Sequence, residues 1–150
     1  MIAASLFVAA GGFVHLREWL DLYRALPANT PGAAVVQVGF PVNAAVSAVL
    51  ALALLVVAFR GRRLARYLVP GVLLFQVGSL ASLVVSRTGS LFGWAEPIWT
   101  RGADQARAVE IGALISLAAV VAVTAAQRRQ ATRGQVLTLD SGNAEEPIAA

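Results

Sequence analysis

VGFPVNAAVSAVLALALLVVAF, Val38 to Phe59, is the stretch that decides the fold. Twenty-two residues pass without a single charge. A bilayer core about 30 Å thick is crossed by roughly 20 mostly apolar residues in a helix. Val38–Phe59 therefore reads as a membrane span. Its polar side chains are few: Asn43 lies about one turn inside one end, and Ser47 one turn further on.

Three more segments follow the same rule on either side of it. The first runs from about Ile2 to Leu22, the third from about Tyr67 to Ser86, the fourth from about Ala106 to Ala126. Composition agrees: hydrophobic residues make up 58% of the 150 and charged ones only 13%, against ~25% charged in a usual globular chain. Mean hydropathy is +0.72. The expected fold is all-α, a transmembrane four-helix bundle over residues 1–127, followed by a cytoplasmic, disordered tail over 128–150. The first segment reads as a retained span, because no arginine precedes Ile2 and the pattern continues past Gly12.

All 12 basic residues are arginine. With abundant Ala, Val and Leu, this suggests a GC-rich, bacterial coding genome. The arginines bracket apolar runs instead of forming a basic, aromatic-studded face, so nucleic acid is not an expected partner. There is no cysteine, hence no disulfide, thiolate metal site or cysteine nucleophile. No phosphate-binding loop, dinucleotide fingerprint or serine-hydrolase elbow occurs. No independent enzymatic activity is expected.

Orientation follows from the arginines. Arg60, Arg62, Arg63 and Arg66 lie between spans two and three, and Arg128, Arg129 and Arg133 follow span four. The other two connections balance their charges. Both basic clusters are expected in the cytoplasm of a bacterial inner (plasma) membrane protein, with both termini on that side. On the opposite side lie the turn-rich PANTPG, 27–32, and TGSLFGWAEPIWTRG, 88–102. Trp94 and Trp99 in the latter mark an interfacial cap, since tryptophan favours the headgroup level.

The first span ends in VHLREWLDLYR, which carries His15, the chain's one histidine. On a helix, Arg17, Asp21 and Arg24 share one solvated side. His15, Glu18, Trp19 and Leu22 continue the buried side marked by Val8 and Gly12. Asn43 and Glu110 lie at similar depth in spans two and four, and Arg87 closes span three on the face of Gln76. His15, Glu18, Asn43, Arg87 and Glu110 are thus the candidate ligand-binding layer. Its leading reading is structural pairing between helices, with Arg87 or Arg107, the latter three residues away on the same helix, as the neutralising partner for Glu110. The alternatives are a proton- or small-ligand-handling site and a metal-dependent redox site. His15 and Glu18 are the only metal-ligand candidates, fewer than the four of a closed zinc site. No cofactor is expected.

Small residues, Gly71, Gly78, Ser82 and Ser86 in the third span and Ala108, Gly112 and Ser116 in the fourth, are expected to pack the helices together. The alternative is a homodimer face or a contact with another membrane protein.

GGFVHLREWLDLYRALP, GFPVNAAVSAVLALALL and VSRTGSLFGWAEPIW, with Glu110 early in the fourth span, together resemble a group of small actinobacterial four-span membrane proteins of uncharacterised function. The likeness covers about four-fifths of the chain. It implies the topology and assigns no role to His15, Glu18, Trp19, Tyr23 or Arg24. The expected role is a structural or accessory membrane subunit with the lipid bilayer as its main partner.

Overall fold

The computed structural model describes residues 1–27, 29–60 and 64–143. Arg62 and Arg63 of the first basic cluster, Ala28 of the first loop, and residues 144–150 of the tail lie outside these. The elements of the described chain are all helical: α1 (Ile2–Asp21), a short 3-10 turn (Tyr23–Ala25), α2 (Ala33–Arg60), α3 (Ala65–Thr88) and α4 (Arg101–Asn143). The fold is an all-α bundle. Two compact units divide it, Met1–Leu117 and Ala118–Ala150. The first contains the bundle described here. The described part of the second is the C-terminal length of α4.

Hydropathy located the helices, and local chemistry sets their ends. α4 begins at Arg101, five residues before the expected span, because Thr100 caps it. The Thr100 hydroxyl accepts from the Ala103 amide at 3.1 Å, which satisfies one of the orphan donors of the first turn. α4 also continues to Asn143, so the disorder expected from residue 128 onward is corrected as far as that residue. A helix already nucleated adds each further residue cheaply, and no proline interrupts 128–143.

α2, α3 and α4 are long and apolar enough to cross a membrane. α1 is not among them, as Arg17, Glu18 and Asp21 crowd its last turns. The surface is apolar and much of the interior is polar. Val49, Leu52, Leu74 and Ile115 are exposed, while Ser47, Gln76, Arg87 and Glu110 are buried. Water would penalise so continuous an apolar exterior, whereas lipid would not.

The buried positions recur at alternating spacings of three and four. They are 69, 72, 76 in α3 and 103, 106, 110, 113, 117 in α4, the seam of left-handed helix packing. α1 and α2 run antiparallel along their lengths. The Ser5 hydroxyl donates to the Ala51 carbonyl at 2.7 Å, and the Trp19 indole donates to the Gln37 carbonyl at 2.9 Å. Between them Gly12 lies so close to α2 that a Cβ there would stand 2.7 Å from Ser47 Cβ. The Trp19 bond also resolves a helical defect. Pro41 lies inside α2 and has no N–H to give the carbonyl four residues earlier. That carbonyl is Gln37's, and the indole supplies the missing donor.

The small-residue expectation is corrected in part. Gly112 does sit against the Phe7 ring of α1, but Gly71 and Gly78 have open space in front of them. α3 turns Val69, Val72 and Gln76 inward instead of its glycines, since the 3–4 seam passes through 69, 72 and 76.

At the loop-bearing end, Leu91 and Trp94 exchange backbone hydrogen bonds at 2.7 and 2.9 Å. Phe92 and Gly93 between them have φ of 49° and 87°, a two-residue turn with both centres left-handed. Gly32, φ 69°, abuts the Trp94 backbone so closely that no Cβ fits. The two loops are therefore latched together.

Candidate functional site

Each of the four helices contributes a side chain to one polar cluster inside the bundle. α1 brings His15, α2 Asn43, α3 Ser79 and α4 Glu110. His15 Nε2 lies 3.1 Å from Glu110 Oε1. The Ser79 hydroxyl donates to the same oxygen at 2.5 Å and stands 3.4 Å from His15 Nε2. Asn43 Nδ2 donates to Ser79 Oγ at 2.8 Å, and the Ser47 hydroxyl donates to Asn43 Oδ1 at 3.2 Å. Glu110 is 2% exposed and His15 8%. Glu110 Oε2 is buried with no hydrogen-bond partner among the described residues. The Phe40 ring meets the His15 ring edge-on, centroids 5.1 Å apart, and fixes its plane.

Among the described residues no arginine pairs with Glu110. Arg107 pairs with Asp104 at 2.9 Å, so the expected intrahelical neutralisation does not form. Helix geometry explains this. Arg107 and Asp104 both lie on the exposed side of α4, and Glu110 lies in the seam.

A second layer sits nearer the loops. Arg87, whose side chain is 3% exposed, forms an ion pair with Glu96 at 3.2 Å. It also donates to the carbonyls of Glu96 and Ile98, at 2.9 and 2.5 Å. Its Nε is buried without a partner among the described residues. The Tyr23 hydroxyl donates to the other oxygen of Glu96 at 2.7 Å. Burial, then this bond to a carboxylate, raises the Tyr23 phenol well above its usual range. The Glu18 carboxylate lies against Gly102 in the first turn of α4, where the positive end of the helix dipole favours an anion.

Between the two layers lies a cavity of about 20 Å³, lined by His15, Glu18, Tyr23, Arg87, Gly102 and Ala106 among others. His15 faces both it and Glu110, while Glu110 does not line it. The candidate layer thus divides. His15, Asn43 and Glu110 meet directly. Glu18 and Arg87 line the cavity, which His15 also lines, and among the described residues neither bonds to Asn43 or Glu110. Trp94 packs edge-on against Tyr23, centroids 5.7 Å apart. Trp99 lies 4.8 Å from the Arg107 guanidinium and 5.9 Å from that of Arg87. Leu22, expected on the buried side, is 51% exposed. α1 stops at Asp21, and the 3-10 turn swings Tyr23 inward in its place.

Ser79 and Glu96 belong to these layers and were not singled out from the sequence. Ser79 was legible as the next step of the 69–72–76 seam. Glu96 was legible as the acid between two interfacial tryptophans. His15 and Glu18 find no third side chain with which to make a metal-binding group among the described residues.

Compared with known proteins, the chain matches no family model, no curated protein and no solved structure. The actinobacterial resemblance rests on the quoted motifs alone, and the functional reading rests on the geometry.

Proposed function

We propose that the chain is a four-span plasma-membrane protein, with both termini in the cytoplasm, that handles protons at the His15–Glu110 pair. The observation that carries this reading is Glu110 itself. An acid at 2% exposure, with no arginine paired to it and one oxygen without a partner among the described residues, is expensive in a bilayer. Structural cohesion alone does not call for it, since well-packed apolar side chains usually replace a buried ionic pair without loss. Imidazole and carboxylate in hydrogen-bond contact form a unit that can take up, share and release one proton. The nearby hydroxyl and amide hold the carboxylate in place and add no charge. The 20 Å³ cavity is too small for an organic substrate, which favours a proton over a carried solute.

The side-by-side run of α1 and α2, from Ser5 at Ala51 to Trp19 at Gln37, supports α1 as a fourth span. A second reading, an accessory subunit, is favoured by Gly71 and Gly78. They leave a smooth, unfilled face on α3, the kind of surface another helix can approach closely.

The test uses the single histidine. In protein labelled with nitrogen-15 on histidine, every imidazole signal belongs to His15. The expected result is a pH-dependent change of both ring nitrogens that is altered by Glu110→Gln. A ring whose signals ignore pH, or respond identically in that variant, would leave the accessory reading in its place.

A further inference from the structure

We infer that Ser79 and Asn43 form a reversible hydrogen-bond chain onto Glu110, which turns over when Glu110 takes a proton of its own, so that the carboxyl keeps a partner whether charged or neutral. This rests on the proton-handling reading and adds the two positioning residues that let the acid change state inside the bundle.

Three observations carry it. The first is that the donors all run one way. The Ser47 hydroxyl donates to Asn43 Oδ1, Asn43 Nδ2 donates to Ser79 Oγ, and the Ser79 hydroxyl donates to Glu110 Oε1 at 2.5 Å. An ionised carboxyl only accepts, so this is the direction that a charged Glu110 needs. The last bond also has the length of a hydroxyl on a carboxylate, roughly 2.5–2.7 Å, and not that of a neutral pair, roughly 2.7–2.8 Å. The second observation is that every link can be reversed by side-chain rotation alone. A hydroxyl both donates and accepts, and an amide exchanges its oxygen and nitrogen ends by a half-turn. The third is Glu110 Oε2, which has no partner among the described residues. A proton there would leave a buried O–H without an acceptor, whereas buried polar groups are normally bonded. A proton on Oε1 finds Ser79 Oγ as its acceptor once the chain has turned.

The reversal balances. One proton binds Oε1 and cancels the charge of the carboxylate. Oε1–H then donates to Ser79 Oγ, the Ser79 hydroxyl rotates to donate to Asn43 Oδ1, and the turned amide gives an N–H to Ser47 Oγ. Three bonds stand before and three after, and loss of the proton restores the first set. A proton merely shared along the His15–Glu110 bond leaves the chain as it is. Reversal answers to a proton that Glu110 holds while His15 Nε2 keeps its own. Among the described residues, the titratable group against Glu110 is His15 of α1. α2 and α3 bring the uncharged Asn43, Ser47 and Ser79, and Asp104 and Arg107 of α4 pair with each other on the exposed side. Glu18 and Arg87 stand behind His15, at the cavity that it lines.

The experiment uses full-length protein in lipid bilayers, labelled with nitrogen-15 on histidine and asparagine. The chain has three asparagines, Asn29, Asn43 and Asn143. In an Asn29→Gln, Asn143→Gln background every asparagine side-chain signal belongs to Asn43. Lowering the pH should move the Asn43 amide signals from one state to another, and Glu110→Gln should abolish that change. Ser79→Ala, which cuts the chain, should leave Asn43 indifferent to pH while the His15 ring still responds. Ser79→Thr, which returns a hydroxyl, should restore the Asn43 response. An Asn43 amide that stays constant while His15 titrates overturns the chain and leaves the proton site standing. An Asn43 response that survives Ser79→Ala also overturns the chain, since the amide would then sense the charge through space. Signals of both residues that ignore pH overturn the chain and the proton site together. The measurement on the background protein decides the matter even where Ser79→Ala does not fold.

Discussion

Tyr23 shows how one side chain couples loop and bundle. Its ring packs on Phe40 at 4.5 Å and on Trp94, and its hydroxyl holds Glu96, which in turn holds Arg87. The phenol is raised above its ordinary value, first by burial and then by the bond to Glu96. A raised acid favours its neutral form in the folded state. Its stabilisation is complete below the unfolded value near pH ~10 and is lost as pH rises beyond it. Wild-type protein in detergent should therefore lose thermal stability more steeply between about pH 9.5 and 11 than Tyr23→Phe does. At neutral pH the variant should be less stable by about 1 kcal/mol, one hydrogen bond's worth. Parallel slopes in the two proteins would mean that the phenol never feels its buried setting.

Among the elements, α1 and α3 use glycine in opposite ways. Gly12 brings α1 onto α2 at Ser47, and Gly78 faces open space. Gly12→Leu should cost about 2–3 kcal/mol or prevent assembly, as overpacking does. Gly78→Leu should leave the thermal midpoint of the monomer nearly unchanged. Equal losses in a detergent melt would show that α3 packs through its glycine face after all. These elements also show how far the sequence could be read. Apolar runs locate all four helices, and three of them have the length and hydropathy that a hydrocarbon core demands. Their ends escape hydropathy, as with α2, which starts at Ala33 and not Val38. The site is legible in depth, which is counted along a helix, so His15, Asn43 and Glu110 could be placed at one level. Which faces meet depends on the register of the 3–4 seam, and there the glycines of α3 drew attention from Ser79. The Glu110 partner was misread for the same reason. Arg107 is near in sequence, whereas His15 comes from 95 positions away.

For the whole molecule the number of crossings sets on which side each terminus lies. Three helices meet the length and hydropathy that crossing needs, and α1 lies alongside α2. The proposed four crossings put Thr30 and Ser90 outside, and Ile2, Arg66 and Arg129 inside. The chain's lack of cysteine makes this directly measurable. Single cysteines at Thr30 and Ser90 should react with an impermeant maleimide on intact cells. Those at Ile2, Arg66 and Arg129 should react only after permeabilisation. Labelling of Ile2→Cys on intact cells, with the others as expected, would establish three crossings and place the termini on opposite sides.

The polar cluster drawn from all four helices has a consequence for biosynthesis. A ribosome delivers His15 and Asn43 long before Ser79, and Ser79 before Glu110. On the proposed four-span topology, until α4 emerges the imidazole has entered the membrane without its carboxylate, and Asn43 has only Ser47 on its own helix to bond. The nascent α1–α2 hairpin is thus an unfinished product that lipid tolerates poorly. Insertion of the last helix completes both the topology and the hydrogen-bonding of everything made before it. A chain truncated ahead of α4 would leave the cell with an orphaned histidine in hydrocarbon, a mark by which membrane quality control can recognise an incomplete copy.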